Sequence, residues 1–157
     1  MKKLYRLSMI QIRQAILSDS PFIVDAQIAM AKETEALTLD PEVVHLGVQA
    51  VFRDRGKGVY WVACVDHEVV ACLITVPEWS DWRNGTVLWI HSVYVHPDFR
   101  RRGVYRMLYA HLKSKVEQDH ALCGLRLFVE KKNKSAQKTY EALGMSNDHY
   151  ELYEWLK

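Results

Sequence analysis

The sequence predicts a mixed α/β fold built on a largely antiparallel sheet. Three observations predict it. VYWVACVD (59–66), EVVACLITV (68–76) and TVLWIHSVYV (86–95) are β-rich runs, and the signals that separate them, Asp66-His67 and Asn84-Gly85, mark turns. Short connections of that kind join antiparallel strands. Ser20-Pro21 and Asp40-Pro41 each give an N-cap followed by a first-turn proline, so two helices open there. Residues 86–130 then read strand, helix, strand, and a short right-handed crossover supplies one parallel pair.

The elements follow in order. MIQIRQAI (9–16) alternates apolar and polar residues, as a half-buried strand does. The first helix should run from Ser20 to about Lys32. The second carries Val44, Val48, Val51 and Phe52 at helical spacing and ends at Arg55-Gly56-Lys57-Gly58. Pro77 should end or bulge the strand that begins at Glu68. A helix from about Gly103 to Gln118 shows one apolar face of Val104, Met107, Leu108, Leu112 and Val116. GLRLFVE (124–130) is strand-like. Asn133 can cap a helix that ends at Gly144, and HYELYEWL (149–156) reads as a closing strand. The expected order is β-α-α-β-β-β-α-β-α-β, within a single domain over 1–157.

Composition excludes several classes. A formal net charge of +2 is too mild for nucleic-acid binding by composition, so any basic site is local. Cys64, Cys72 and Cys123 lie in apolar runs without C-x-x-C spacing and read as buried thiols of a reducing compartment. The start, MKKLYRLSMIQIRQ, lacks the long apolar stretch of a leader or a membrane span, which makes the cytoplasm the default. Histidines and carboxylates lack ligand spacing, so no metal is expected.

HPDFRRRGVYRML (96–108) poses the main question. Arg100, Arg101 and Arg102 stand just before a helix, where unpaired N–H groups and the helix dipole favour anions over cations. One reading is a solvated basic loop, costing tenths of a kcal/mol. The other is a phosphate site, with backbone N–H groups and Gly103 around the anion.

VYVHPDFRRRGVYRMLYAHL resembles the acetyl-coenzyme A signature of the GNAT superfamily of N-acetyltransferases, an apolar strand and loop followed by R/Q-x-x-G-x-G/A opening a helix. Arg100 and Gly103 match, and Tyr105 stands where glycine or alanine is usual. NKSAQKTYEALGM (133–145) resembles the second signature. The order of elements agrees over essentially the whole chain, which implies a GNAT-like fold and acetyl-coenzyme A as co-substrate. The resemblance further implies that amides of Arg101, Arg102, Gly103, Val104, Tyr105 and Arg106 bind the pyrophosphate beside Arg100. It implies too that the Val93–Tyr94–Val95 stretch pairs with the pantetheine arm through Val93 and Val95. Asn133 would bond the arm near the thioester, and Tyr140 would point at the sulfur.

Acetyl transfer to an amine needs a base for the ammonium, donors for the oxyanion and an acid for the thiolate. Tyr140 is the candidate acid, with packing beside Ala136 and Leu143 as the plainer alternative. His91 is the candidate base, in phase with Trp89 and Val93 if no bulge intervenes. In family members resembling spermidine/spermine acetyltransferases a glutamate stands near this place. His96 and His111 are weaker candidates. On the acceptor side, Glu33, Trp79 and Trp82 are the candidates, among the carboxylates Glu35, Asp40, Glu42, Glu78 and Asp81, because anions beside aromatics suit a cationic amine. The two tryptophans form a lid, an interface or a satellite core.

The activity implied is acetyl transfer to a small amine, a polyamine-like cation or a peptide lysine in a ternary complex, with no nucleic acid and no membrane as partner. The alternative is a non-catalytic acyl-coenzyme A sensor. Tyr150, Tyr153 and Trp155 would suit either core packing or a homodimer edge.

Overall fold

The computed structural model describes residues 9–157; the basic start of the chain lies outside the described residues. Two compact units divide the chain, Met1–Leu127 and Phe128–Lys157. The first holds β1 (Gln11–Gln14), α1 (Ser20–Glu35), α2 (Pro41–Arg53), β2 (Val59–Val65), β3 (Glu68–Ser80), β4 (Gly85–Val95), α3 (Val104–Gln118) and β5 (Leu122–Leu127). The second holds α4 (Lys134–Ala142). The sheet order is β1-β2-β3-β4-β5, antiparallel throughout except for β4 with β5. The mixed α/β class with one parallel crossover is therefore what the chain adopts.

Of the two N-cap signals one acts as its chemistry dictates and one does not: α1 begins at Ser20 itself, its N-cap is Asp19, and no side chain caps it. Asp40 caps α2, its carboxylate accepting from the Glu42 N–H at 2.9 Å. Asp66 and His67 both take positive φ (50° and 69°), the twist that a two-residue hairpin turn needs. Even-numbered residues of β2, Tyr60, Val62 and Cys64, join Cys72 and Ile74 of β3 in a core under Ile23, Ala26 and Val48 of α1 and α2. Trp61, pointing the other way, meets His111 of α3 with ring centroids 5.4 Å apart, so α3 covers the opposite face. Near the entry to β2, Asp19 is buried and holds Arg13 through two hydrogen bonds of 2.6 and 3.0 Å.

Four sequence expectations need correction. Pro77 neither ends nor bulges β3, which runs on to Ser80. The β2 ladder stops at the Val59–Thr75 pair, and beyond it Pro77 has only β4 as a partner, opposite Leu88. A residue without an N–H fits a stretch with one open side. Residues 149–156 form no strand, and Tyr150, Leu152, Tyr153, Trp155 and Leu156 are all exposed. The aromatic, β-favouring composition expresses a propensity, but a strand also needs an edge to pair with. β5 spans Leu122–Leu127, where the sequence suggests 124–130. Cys64 and Cys72 are buried, with burial pushing the Cys72 thiol up to about 12, but Cys123 is exposed.

Gly58 is required where it stands. Its φ is +142°, and a Cβ there would come within 2.7 Å of Ile74 Cδ1 and 2.9 Å of the Thr75 carbonyl oxygen. Gly58→Ala is expected to cost about 1–3 kcal/mol. The check is the midpoint of urea unfolding, which should fall with an unchanged slope.

Candidate active site

The site begins with a fault in β4. Cys72 pairs with Tyr94 and Ile74 with His91, so the single residue Leu73 faces two, Ser92 and Val93. This is a β-bulge, and Ser92 carries its strain at φ 52°. The bulge corrects the expected phase: His91 stays on the face of Trp89, but Val93 does not share it. Tyr94 returns to that face, with its ring at 6.3 Å from Phe22 of α1.

The bulge also orients the backbone. His96 N–H donates to the Val70 carbonyl at 2.9 Å. Alternate residues of an antiparallel strand point both of their groups to the same neighbour, so the groups of Tyr94 face β3 as well. Those of Val93 and Val95 therefore face the other way. On that side β5 is in register only as far as the Ile90–Leu127 pair. Among the described residues β4 thus presents an edge past Ile90, and an extended chain carrying amides can add to it.

The strand leads into the basic loop. Arg101 (φ 60°) and Gly103 (φ 77°) are left-handed, and a Cβ on Gly103 would meet nothing within 4 Å. Gly103 is the N-cap of α3 and offers no side-chain cap, and the first turn has no acidic residue. Met107 N–H is bonded to the Gly103 carbonyl at 3.1 Å, so the N–H groups of Val104, Tyr105 and Arg106 precede the helix's own bonds. The Val104 side chain is buried in the core. Tyr105 packs toward Tyr109, at 6.5 Å between centroids, with its hydroxyl buried. The side chain that replaces the usual glycine or alanine thus turns inward along α3. Left-handed residues, an open glycine and uncapped N–H groups form a cradle that suits a pyrophosphate.

Arg100 and Arg102 differ. Arg100 Nε donates to the Val95 carbonyl at 2.8 Å, its terminal nitrogen pairs with Glu33 at 2.8 Å, and its guanidinium lies 5.8 Å from the Tyr94 ring centre. It ties the end of α1 to the end of β4. The Arg102 guanidinium lies over Phe99 at 5.3 Å, and among the described residues no carboxylate pairs with it.

His91 is half-buried, and burial lowers the pKa of its imidazole, which favours the neutral form that a base must have. Its ring lies near-parallel to Trp89, at 6.1 Å and 17°. His96 instead caps the turn 97–99, accepting from Asp98 N–H at 3.3 Å, and His111 sits against Trp61 across the sheet. In the second unit Asn133 Oδ1 caps α4 by accepting from Ala136 N–H at 3.1 Å, a bond that leaves the amide's N–H donors unspent. Burial raises the Tyr140 phenol, so it stays protonated at neutral pH.

The acceptor candidates are not brought together. Glu33 is committed to Arg100 beyond one end of β4, whereas Trp79 pairs with Thr86 near the other, some 30 Å away at about 3.3 Å per residue. Trp79 and Trp82 are 63% and 88% exposed, which rules out a satellite core. Sequence reading also missed a cluster. Glu78 accepts from Trp89 Nε1 at 2.6 Å and from Arg126 at 2.8 Å.

A split sheet edge running into an uncapped, arginine-rich helix start suits a coenzyme-binding acyltransferase. The chain belongs to the acetyltransferase (GNAT) family, whose model matches residues 26–145. It is an acetyl-coenzyme A-dependent acetyltransferase. Among solved structures, one described as "a possible acetyltransferase from Clostridium difficile 630" is 42% identical, with 94% of this chain and 97% of that one covered and a TM-score of 0.89. The ribosomal-protein-alanine N-acetyltransferase of Brucella melitensis biovar Abortus 2308 shares the fold at 18% identity, 94% and 99% coverage and a TM-score of 0.77. An aminoglycoside N-acetyltransferase in complex with CoA does so at 15%, 98% and 99%, with a TM-score of 0.74. Among curated proteins none matches the chain. No helix of the described residues is long and apolar enough to cross a membrane.

Proposed function

We propose that the protein moves the acetyl group of acetyl-coenzyme A to a primary amine by direct attack in a ternary complex. The observation that carries this reading is the β4 edge at Val93 and Val95, released by the bulge and leading into the Arg101–Arg106 cradle. The pantetheine arm would add to that edge and the pyrophosphate would sit at the start of α3. A backbone N–H of the 93–95 stretch would hold the oxyanion.

His91 is the proposed base. A lysine-like amine arrives protonated, and a neutral imidazole at the fork of the sheet accepts its proton directly or through water. Tyr140 is the proposed acid and Asn133 a donor to the arm, both by the second signature. The family match crosses the boundary between the two units, which supports one transferase domain over the chain. The acceptor is a small amine, a polyamine-like cation or a peptide lysine. With Glu33 already neutralised, ion pairing by that residue does not choose among them. A homodimer through the exposed Tyr150, Tyr153 and Trp155 is checked by sedimentation, which should give twice the chain mass.

The test of the reaction is release of free coenzyme A thiol with polyamines, lysine peptides, N-terminal peptides, aminoglycosides and amino acids, against a no-acceptor blank. Release above blank with one class is the expected result and names the acceptor. Coenzyme binding with no release from any class would favour a sensor. Tyr140→Phe should slow release about tenfold with the affinity for acetyl-coenzyme A unchanged; equal turnover would return Tyr140 to a packing role.

A further inference from the structure

We propose that Glu78 and Arg126 are positioning residues for acetyl transfer, clasping the Trp89 indole so that it fixes the His91 ring; this rests on reading His91 as the base. Each comes from a different strand. The register sets Trp89 of β4 opposite Val76 of β3 and beside Arg126 of β5, and Glu78 is two residues along β3 on the same face. One Glu78 oxygen accepts from the indole N–H at 2.6 Å and the other from Arg126 at 2.8 Å. Arg126 then lies over the indole, 5.8 Å from its ring centre. The carboxylate holds the edge of the ring and the guanidinium holds its face.

The clasp's place gives it a purpose. It spans the last rungs before β5 leaves β4 at the Ile90–Leu127 pair. His91 is the next residue, beyond the register of β5, and its imidazole lies within 17° of parallel to the held indole. A base works when one ring nitrogen meets the ammonium within hydrogen-bond reach, and an imidazole free to turn loses that alignment. An ordinary surface ion pair would neither converge on an indole N–H nor bridge three strands at the fork. Glu78 thus acts through Trp89 on His91, rather than as a ligand for the acceptor.

The test compares Glu78→Ala, His91→Gln and the double variant. The probe is the amine turned over fastest in the panel above, and hydrolysis of acetyl-coenzyme A by water where no amine reacts. Glu78→Ala should lower kcat about tenfold with no change in the affinity for acetyl-coenzyme A. Glu78→Gln keeps an oxygen for the indole N–H and should recover most of that loss. In the His91→Gln background Glu78→Ala should do nothing more, because both act on one step. Wild-type kcat in Glu78→Ala, or losses that multiply in the double variant, would overturn the proposal. Unchanged kcat in His91→Gln alone would remove the base, and this inference with it, and that arm shows which of the two has failed. Should Glu78→Ala not fold, Trp89→Phe keeps an aromatic ring and removes the clasped N–H together with the pyrrole part of the indole. The same kcat loss is expected there, and wild-type kcat would refute the clasp.

Discussion

Replacing His91 by glutamine is expected to lower kcat about 100-fold while leaving the affinity for acetyl-coenzyme A unchanged, because loss of a general base typically costs 10²–10⁴. The pH profile carries the sharper signature. In kcat/KM the acceptor's ammonium, with a pKa near 10.4 for a lysine-like amine, is the form that gives its proton to His91, so the profile should be level below that value. His91 sets the acid limb. Burial disfavours its imidazolium, which puts its folded pKa below the ordinary value of 6.5. Below that folded pKa the logarithm should fall by about one per pH unit, since the imidazole must be neutral to accept the proton. His91→Gln should abolish that limb, and the rate should instead fall by about one per pH unit from the amine's own pKa, because the ammonium must then lose its proton to solvent. A profile with the level stretch and the acid limb intact in the variant would assign the base to another residue.

The residues around this histidine show how far the sequence could be read. Strands, turns and caps were legible wherever the signal was local: Asp66-His67, Asn84-Gly85 and Asp40-Pro41 all act within four residues of themselves. The loop proposed for the pyrophosphate stands out in the sequence for the same reason, because Gly103 and the arginines are contiguous. The bulge was not. Ser92 carries a positive φ without being glycine or asparagine, and the β-rich run LWIHSVYV reads through it as a straight strand. It arises from pairing with β3, where Leu73 faces two residues. Long-range partners were equally hidden. Nothing near Arg100 marks Glu33, 67 residues away, as its counterion, nor Glu78 as the acceptor for Trp89 and Arg126. Charges that looked available to a substrate are spent inside the protein. The segment 149–156 erred the other way, since its aromatic, β-favouring composition records a propensity, and the partner edge decides whether it is used.

The same bookkeeping separates Arg100 from Arg102 in a second expected result. Arg102→Glu should weaken acetyl-coenzyme A binding roughly 30-fold at low salt, because it reverses a charge that no described carboxylate balances, beside the cradle proposed for the pyrophosphate. Screening should shrink the difference as ionic strength rises, since the Debye length falls from about 10 Å at 0.1 M to about 3 Å at 1 M. Arg100→Gln should behave otherwise. Its charge is matched by Glu33, and its Nε holds the Val95 carbonyl on the edge offered to the arm. Its loss should therefore be smaller and nearly independent of salt, an effect of geometry, and Glu33→Gln should reproduce part of it although Glu33 lies on α1. Calorimetric titration of the three variants at two salt concentrations makes the comparison. Equal salt dependence for Arg100→Gln and Arg102→Glu would mean that both guanidinium groups turn to the phosphates, with Glu33 released on binding. No effect of Arg102→Glu at either salt would take the phosphate role from that side chain and leave it to the backbone N–H groups of the α3 start.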